Sequence, residues 1–241
     1  MQSLITKSHP YILCKNTEIK WLPSDTQELF EENCVNNRSK LEQYKWLDTP
    51  ITYKFNSEGF RADEFDKEGG IMFLGCSFTF GIGLPIEQTF ARIVCDELKT
   101  NCFNLGLPAS SNDTAFRLAD IWMPVLKPSM VVMLSPLPMR FEILSHEIPN
   151  DEVVVSRFVT TMDQISNTEE KSKWLETNQN GLLNRRKNKL AIEKLCDDRK
   201  IKFVHDNTEN IPTVDFARDL SHPGTESNKL FAEKILTKAQ V

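Results

Sequence analysis

From Ile71 onward the chain alternates short apolar runs with stretches of helical spacing, and this order restricts the fold more than any other feature. Ile71–Leu74 contains no polar side chain, as expected of a strand covered on both faces. Cys102–Leu105, Met130–Leu134 and Ile201–His205 read as three further strands. Between them, Glu87–Leu98 places Phe90, Val94 and Leu98 at i, i+4 and i+8. Ser111–Met123 puts Ala115, Leu118, Ala119 and Trp122 on one face, with Ser110 or Ser111 as its N-cap. Leu182–Arg199 and Thr225–Lys238 read as the closing helices. Strands alternating with helices predict parallel βαβ units, hence an α/β chain folded as a three-layer sandwich around a short, mostly parallel sheet. Such sheets carry their sites at the carboxyl ends of the strands. That rule selects three loops: Gly75–Pro85, Gly106–Ser111 and Ser135–Glu142.

Residues 1–50 read as a polar N-terminal extension, with helices over Thr26–Glu32 and Arg38–Trp46. The α/β domain is expected over residues 51–241, opening with a short strand at Ile51–Phe55 and a turn at Gly59. Residues 145–180 are polar and read as an insertion over the site, with a helix near Glu169–Glu176.

Composition narrows the function classes. The 29 Lys and Arg against 34 Asp and Glu leave a net charge of −5. Phosphate-backbone binding relies on dense Lys and Arg, so nucleic acid is not expected as the main partner. With 40% hydrophobic residues over 241 positions, the chain can build a core without a disulfide or metal staple. No apolar run has the length of a signal peptide core or a membrane span. The expectation is a cytoplasmic protein, or a component of a particle assembled in the cytoplasm such as a virus. The six cysteines form no C-x-x-C pair, so reduced thiols are expected, with Cys95 and Cys102 in the core and no metal.

Six of the nine glycines, Gly69, Gly70, Gly75, Gly81, Gly83 and Gly106, fall in one window, which concentrates tight turns there. Within it, Gly75-Cys76-Ser77-Phe78-Thr79-Phe80-Gly81 sets a serine just past a buried strand, where free backbone N–H groups can stabilise an oxyanion. Near the C-terminus, Asp219-Leu220-Ser221-His222 offers an imidazole with a carboxylate three residues away, the pairing that fixes a general base. Each piece alone also suits an ordinary turn: a serine that caps a helix, and a histidine before Pro223-Gly224.

Together these blocks resemble the SGNH, or GDSL-type, hydrolase family, over roughly residues 51–235. Gly75–Gly81 is similar to the family's G-D-S-x-T-x-G block, Asn104-Leu105-Gly106 to its second block, and Asp219–His222 to its D-x-x-H block, in the family's order. Asn56–Arg61 resembles a segment that precedes the first block in some members. The resemblance implies a flavodoxin-like SGNH fold and a serine esterase that needs no cofactor. Ser77 would be the nucleophile, His222 the general base and then acid, and Asp219 its orienting partner. The N–H groups of Ser77 and Gly106 would form the oxyanion hole. The implied partner is a small-molecule or carbohydrate ester, an O-acetyl group on a sugar being one such substrate.

Two positions depart from the family pattern. Cys76 stands where the first block has Asp, and the reading has it point away from Ser77. The third block's Asn is missing after Met130–Leu134, where Ser135-Pro136-Leu137-Pro138-Met139-Arg140-Phe141-Glu142 follows. Loss of one oxyanion donor costs on the order of 3 kcal/mol. Asn112 is the best substitute by position, though it equally suits support of its own helix start. Arg140 reads either as a substrate-binding cation or as a surface ion pair with Glu142, and Arg61 as a surface residue or a pocket lining. His205 is the rival base beside Asp206; for it, His9 and His146 a structural or exposed role is expected. Two other classes stay open: a binding or structural module on the same fold, and a flavodoxin-like phosphate or nucleotide binder using Gly75–Gly83 as an anion loop.

Overall fold

The computed structural model describes residues 7, 9–145, 155–159 and 178–240. Its N-terminal part holds β1 (Glu18–Ile19), α1 (Gln27–Asn36), α2 (Arg38–Gln43) and β2 (Tyr53–Lys54). Then follow β3 (Ile71–Leu74), α3 (Ser77–Phe80), α4 (Phe90–Glu97), β4 (Cys102–Asn104), α5 (Asn112–Leu126) and β5 (Met130–Ser135). The chain continues through β6 (Phe141–Ser145), β7 (Val155–Val159), α6 (Asn178–Arg199), β8 (Lys202–Asn207) and α7 (Thr225–Gln240).

Strands β4, β3, β5 and β8 lie side by side in that order, every neighbour parallel. The alternation of side chains in β5 shows how one strand serves two cores. Val131 and Met133 pack with Leu118, Trp122 and Leu126 of α5 and with Ile192 and Cys196 of α6. Met130, Val132 and Leu134 pack on the other face with Phe90 and Val94 of α4 and Phe231 and Ile235 of α7. The result is the expected three-layer α/β/α sandwich. The capping box of Ser111 and Thr114 starts α5. The stripe read on α4 ends sooner than expected: Leu98 sits in the C-cap and is 45% exposed.

A third core forms where the N-terminal part meets α3, the loop after it and the loop before α7. Leu22, Leu41, Trp46, Ile51, Tyr53 and Phe55 bury against Phe80, Ile82, Leu84 and Ala217. Strands β1 and β2 pair antiparallel beside it. A second departure lies after β5, where part of the expected loop is strand: Phe141–Ser145 pairs antiparallel with Val155–Val159. The helix expected near Glu169–Glu176 lies outside the described residues. No described helix is long and apolar enough to cross a membrane. The six cysteines are unpaired, and Cys76, Cys95, Cys102 and Cys196 are buried.

Candidate active site

The loop after β3 is not simply a loop, because Ser77–Phe80 winds one turn of helix directly off the strand. Gly75 makes the abrupt turn possible: a Cβ there would lie 2.2 Å from the Thr79 hydroxyl and 2.8 Å from the Leu134 carbonyl. Gly81 then ends α3 in the left-handed conformation at φ 82°, and its N–H returns to the Ser77 carbonyl at 2.9 Å. Ser77 is therefore the first helical residue, whose N–H has no carbonyl of its own helix to bond.

His222 approaches from the loop before α7. Its Nε2 lies 2.8 Å from the Ser77 hydroxyl, across 145 positions of sequence. Its Nδ1 lies 2.5 Å from Asp219 Oδ2. The second oxygen of Asp219 accepts the backbone N–H groups of Ser221 and His222, at 3.1 and 3.0 Å. With the carboxylate ionised, Nδ1 carries the imidazole proton and Nε2 accepts from the serine. The Asp219 side chain is fully buried while His222 keeps 13% exposure. The Phe78 ring meets the imidazole edge-on, 5.4 Å between centroids. The structure thus brings together Ser77, His222 and Asp219.

The expected oxyanion donors fare differently. The Gly106 N–H donates to Asn104 Oδ1 at 3.0 Å, and Asn104 Nδ2 donates to the Thr79 carbonyl at 2.7 Å. Gly106 is thus occupied by an internal bond that ties the end of β4 to α3. Asn112 departs from its expected role too. It is fully buried, its amide nitrogen donates to the Pro136 carbonyl at 3.2 Å, and among the described residues its Oδ1 has no partner. Ala109 went unnoticed in the sequence. It is half-buried, a non-glycine residue at φ 64°, in the loop that Ser110 Oγ and the Leu107 N–H fasten to the Gly75 carbonyl at 2.9 and 3.0 Å. Among the described residues nothing accepts its N–H. A left-handed alanine was the available signal, but φ is invisible in one sequence.

Arg140 does not pair with Glu142. Glu142 instead takes two bonds from the Arg117 guanidinium of α5, at 2.8 and 2.6 Å, with both side chains almost wholly buried. Among the described residues the buried Nε and Nη1 of Arg140 have no hydrogen-bond partner. Arg61 is neither a surface residue nor a pocket lining. It is 1% exposed and donates to the carbonyls of Gly81 and Leu84, both at 2.7 Å, while stacking over the Tyr53 ring. Burial pulls its guanidinium down to about 10, which leaves it charged at neutral pH.

The rival histidines are structural. His205 Nε2 lies 2.9 Å from the hydroxyl of the fully buried Ser135, and burial lowers its pKa. His9 packs on Phe60, its Nε2 bonded to the Glu58 carbonyl, and burial lowers it to about 4. His146 lies outside the described residues. Cys76 is buried at the N-cap position without a capping bond. Among the described residues no group of three or more His, Cys, Asp or Glu could hold a metal ion.

Solved structures similar to the chain include an esterase and a GDSL-like lipase. One is the psychrotrophic esterase EstA from Pseudoalteromonas sp., 12% identical over 72% of this chain and 97% of that one, at a TM-score of 0.39. The other is a GDSL-like lipase from Bacteroides thetaiotaomicron, 13% identical over 88% of this chain and 97% of that one, at a TM-score of 0.33. No family model matches the chain. No curated protein matches it either.

Proposed function

We propose that the chain is a serine hydrolase of the SGNH type, a divergent member of that family, which cleaves esters through an acyl-enzyme on Ser77. The observation that carries the reading is the continuous hydrogen-bonded line from the Ser77 hydroxyl through His222 to buried Asp219. Ser77 attacks the ester carbonyl as His222 Nε2 takes its proton. Asp219 holds the tautomer and stabilises the imidazolium that forms. The tetrahedral oxyanion is received by the N–H of Ser77, at the turn after β3, and that of Ala109, in the loop after β4 that is fastened to the Gly75 carbonyl. His222 then protonates the leaving alcohol, forming the acyl-enzyme. Water then attacks the acyl carbonyl as His222 Nε2 takes its proton, and the imidazolium returns that proton to Ser77 Oγ as the bond to the acyl group breaks and the acid leaves.

Arg140 is the residue proposed to hold an anionic or hydroxyl-rich part of the substrate, since its guanidinium has buried nitrogens without partners. A short acyl ester of a carbohydrate fits these roles. A second reading, a binding module on the same fold, is favoured by one observation. Gly106 and Asn112, the two expected donors besides Ser77, are both engaged internally. Hydrolysis of p-nitrophenyl acetate and butyrate by the wild type and Ser77→Ala decides between them. The hydrolase reading predicts turnover that disappears in the variant. Equal background rates, together with no reaction at Ser77 by a fluorophosphonate, favour the binding module.

A further inference from the structure

The segments carrying the nucleophile and the base are held together by side chains from the N-terminal part, through a closed ring of hydrogen bonds. The Gly83 N–H donates to the Tyr53 hydroxyl at 2.8 Å. The Tyr53 hydroxyl donates in turn to Asp25 Oδ2. Asp25 accepts a two-pronged bond from Arg218, Nε to Oδ1 at 3.0 Å and Nη2 to Oδ2 at 2.7 Å. The Arg218 N–H closes the circuit on the Gly83 carbonyl at 3.0 Å. Gly83 lies six residues after Ser77, and Arg218 immediately precedes Asp219. Asp25, Tyr53 and Arg218 are each no more than 5% exposed.

The geometry points to Asp25 and Tyr53 as positioning residues that set the distance between Ser77 and His222. This inference rests on the reading of Ser77 and His222 as a catalytic pair, though one of its tests does not need turnover. The ring suits the task for three reasons. A bidentate carboxylate–guanidinium pair fixes orientation as well as distance. Burial and the adjacent Asp25 carboxylate push the Tyr53 phenol up, so it stays a donor at every working pH. The members come from three distant parts of the chain, so no local interaction replaces them. The Trp46 indole N–H adds a further tie outside the ring, donating to the Phe216 carbonyl at 2.8 Å on the same loop as His222.

Tyr53→Phe removes one hydroxyl and keeps the ring packing. Two readouts follow in the full chain, with folding checked by circular dichroism. The first is the 15N shift of His222 Nε2, which reports its bond to Ser77; Ser77→Ala supplies the value without that bond. The expected result is a Tyr53→Phe shift moved toward the Ser77→Ala value, with the downfield Nδ1 proton to Asp219 retained. An unchanged Nε2 shift overturns the proposal, whatever the activity. The second is the rate of fluorophosphonate reaction at Ser77, expected to fall on the order of ten- to a hundredfold. A wild-type rate in the variant overturns the proposal and leaves the hydrolase reading standing. A wild type that does not react overturns the hydrolase reading, while the nitrogen shift still judges the ring. Should Tyr53→Phe fail to fold, Asp25→Asn is read by the same two measurements.

Discussion

The Asp219 carboxylate holds His222 twice, at its imidazole and at its backbone N–H. Oδ2 lies 2.5 Å from the imidazole Nδ1, and Oδ1 accepts the His222 N–H at 3.0 Å. The intervening Leu220 adopts φ 54°, and its N–H returns to the Ala217 carbonyl at 2.8 Å. The carboxylate therefore shapes the turn that presents the imidazole and also fixes its tautomer.

Asp219→Asn separates these two duties. The amide oxygen can still accept the backbone N–H groups, but the tautomer control at Nδ1 is lost. The proposed esterase activity is expected to fall on the order of 10³- to 10⁴-fold, by analogy with the handling of this residue type in serine proteases. Circular dichroism should show the native fold, and turnover of p-nitrophenyl acetate measures the loss.

Asn104→Ala removes two buried bonds at once, one from its amide to the Thr79 carbonyl and one from the Gly106 N–H. Both stranded backbone groups are buried, so a cost of about 2–4 kcal/mol is expected. Urea unfolding measures it. The freed Gly106 N–H becomes able to donate to the oxyanion, so the activity of the folded fraction should fall less than the stability.

Arg61→Ala leaves the carbonyls of Gly81 and Leu84 without their donor, and about 3–5 kcal/mol of stability is expected to go with it. Arg61→Lys should rescue only part, because a single ammonium cannot reproduce the fixed fork. Thermal melts of the two variants beside the wild type give the comparison.

His9 makes the fold acid-sensitive. Its imidazole is lowered from 6.5 to about 4, chiefly by burial, and its Nδ1 has no partner to receive a proton's worth of hydrogen bonding. The folded chain holds the neutral form and the unfolded chain protonates first. The contribution is thus fully present above about pH 6.5 and declines toward pH 4, a total of about 3 kcal/mol. Burial of His205 acts in the same direction. In urea titrations between pH 7 and pH 4, His9→Phe should flatten part of the slope. An unaltered slope in that variant contradicts the assignment.

The parts of the site legible in the sequence were those set by local spacing. Ser77 stands at a glycine-flanked strand end, and Asp219 and His222 are close enough in a turn to meet without help from the rest of the chain. The parallel sheet was legible because β3 and β5 are apolar on both faces. What escaped depended on contacts distant in sequence. Arg61 is buried because carbonyls 20 to 23 residues onward converge on it. Asp25 sits in a polar stretch, and Tyr53 and Arg218, 28 and 193 positions away, give it a buried role. Gly106 and Asn112 carried the right residue types, but their polar groups were claimed by Asn104 and Pro136. Glu142 was read beside Arg140 along the chain, whereas α5 brings it Arg117 instead.

The most direct test of the central claim is the reaction of the purified chain with a fluorophosphonate, followed by peptide mass analysis, in the wild type and in folded Ser77→Ala. The predicted result is one adduct, on Ser77 of the wild type, with none in the variant. No adduct on the folded wild type, or an equal adduct elsewhere in both proteins, would contradict the assignment of Ser77 as nucleophile.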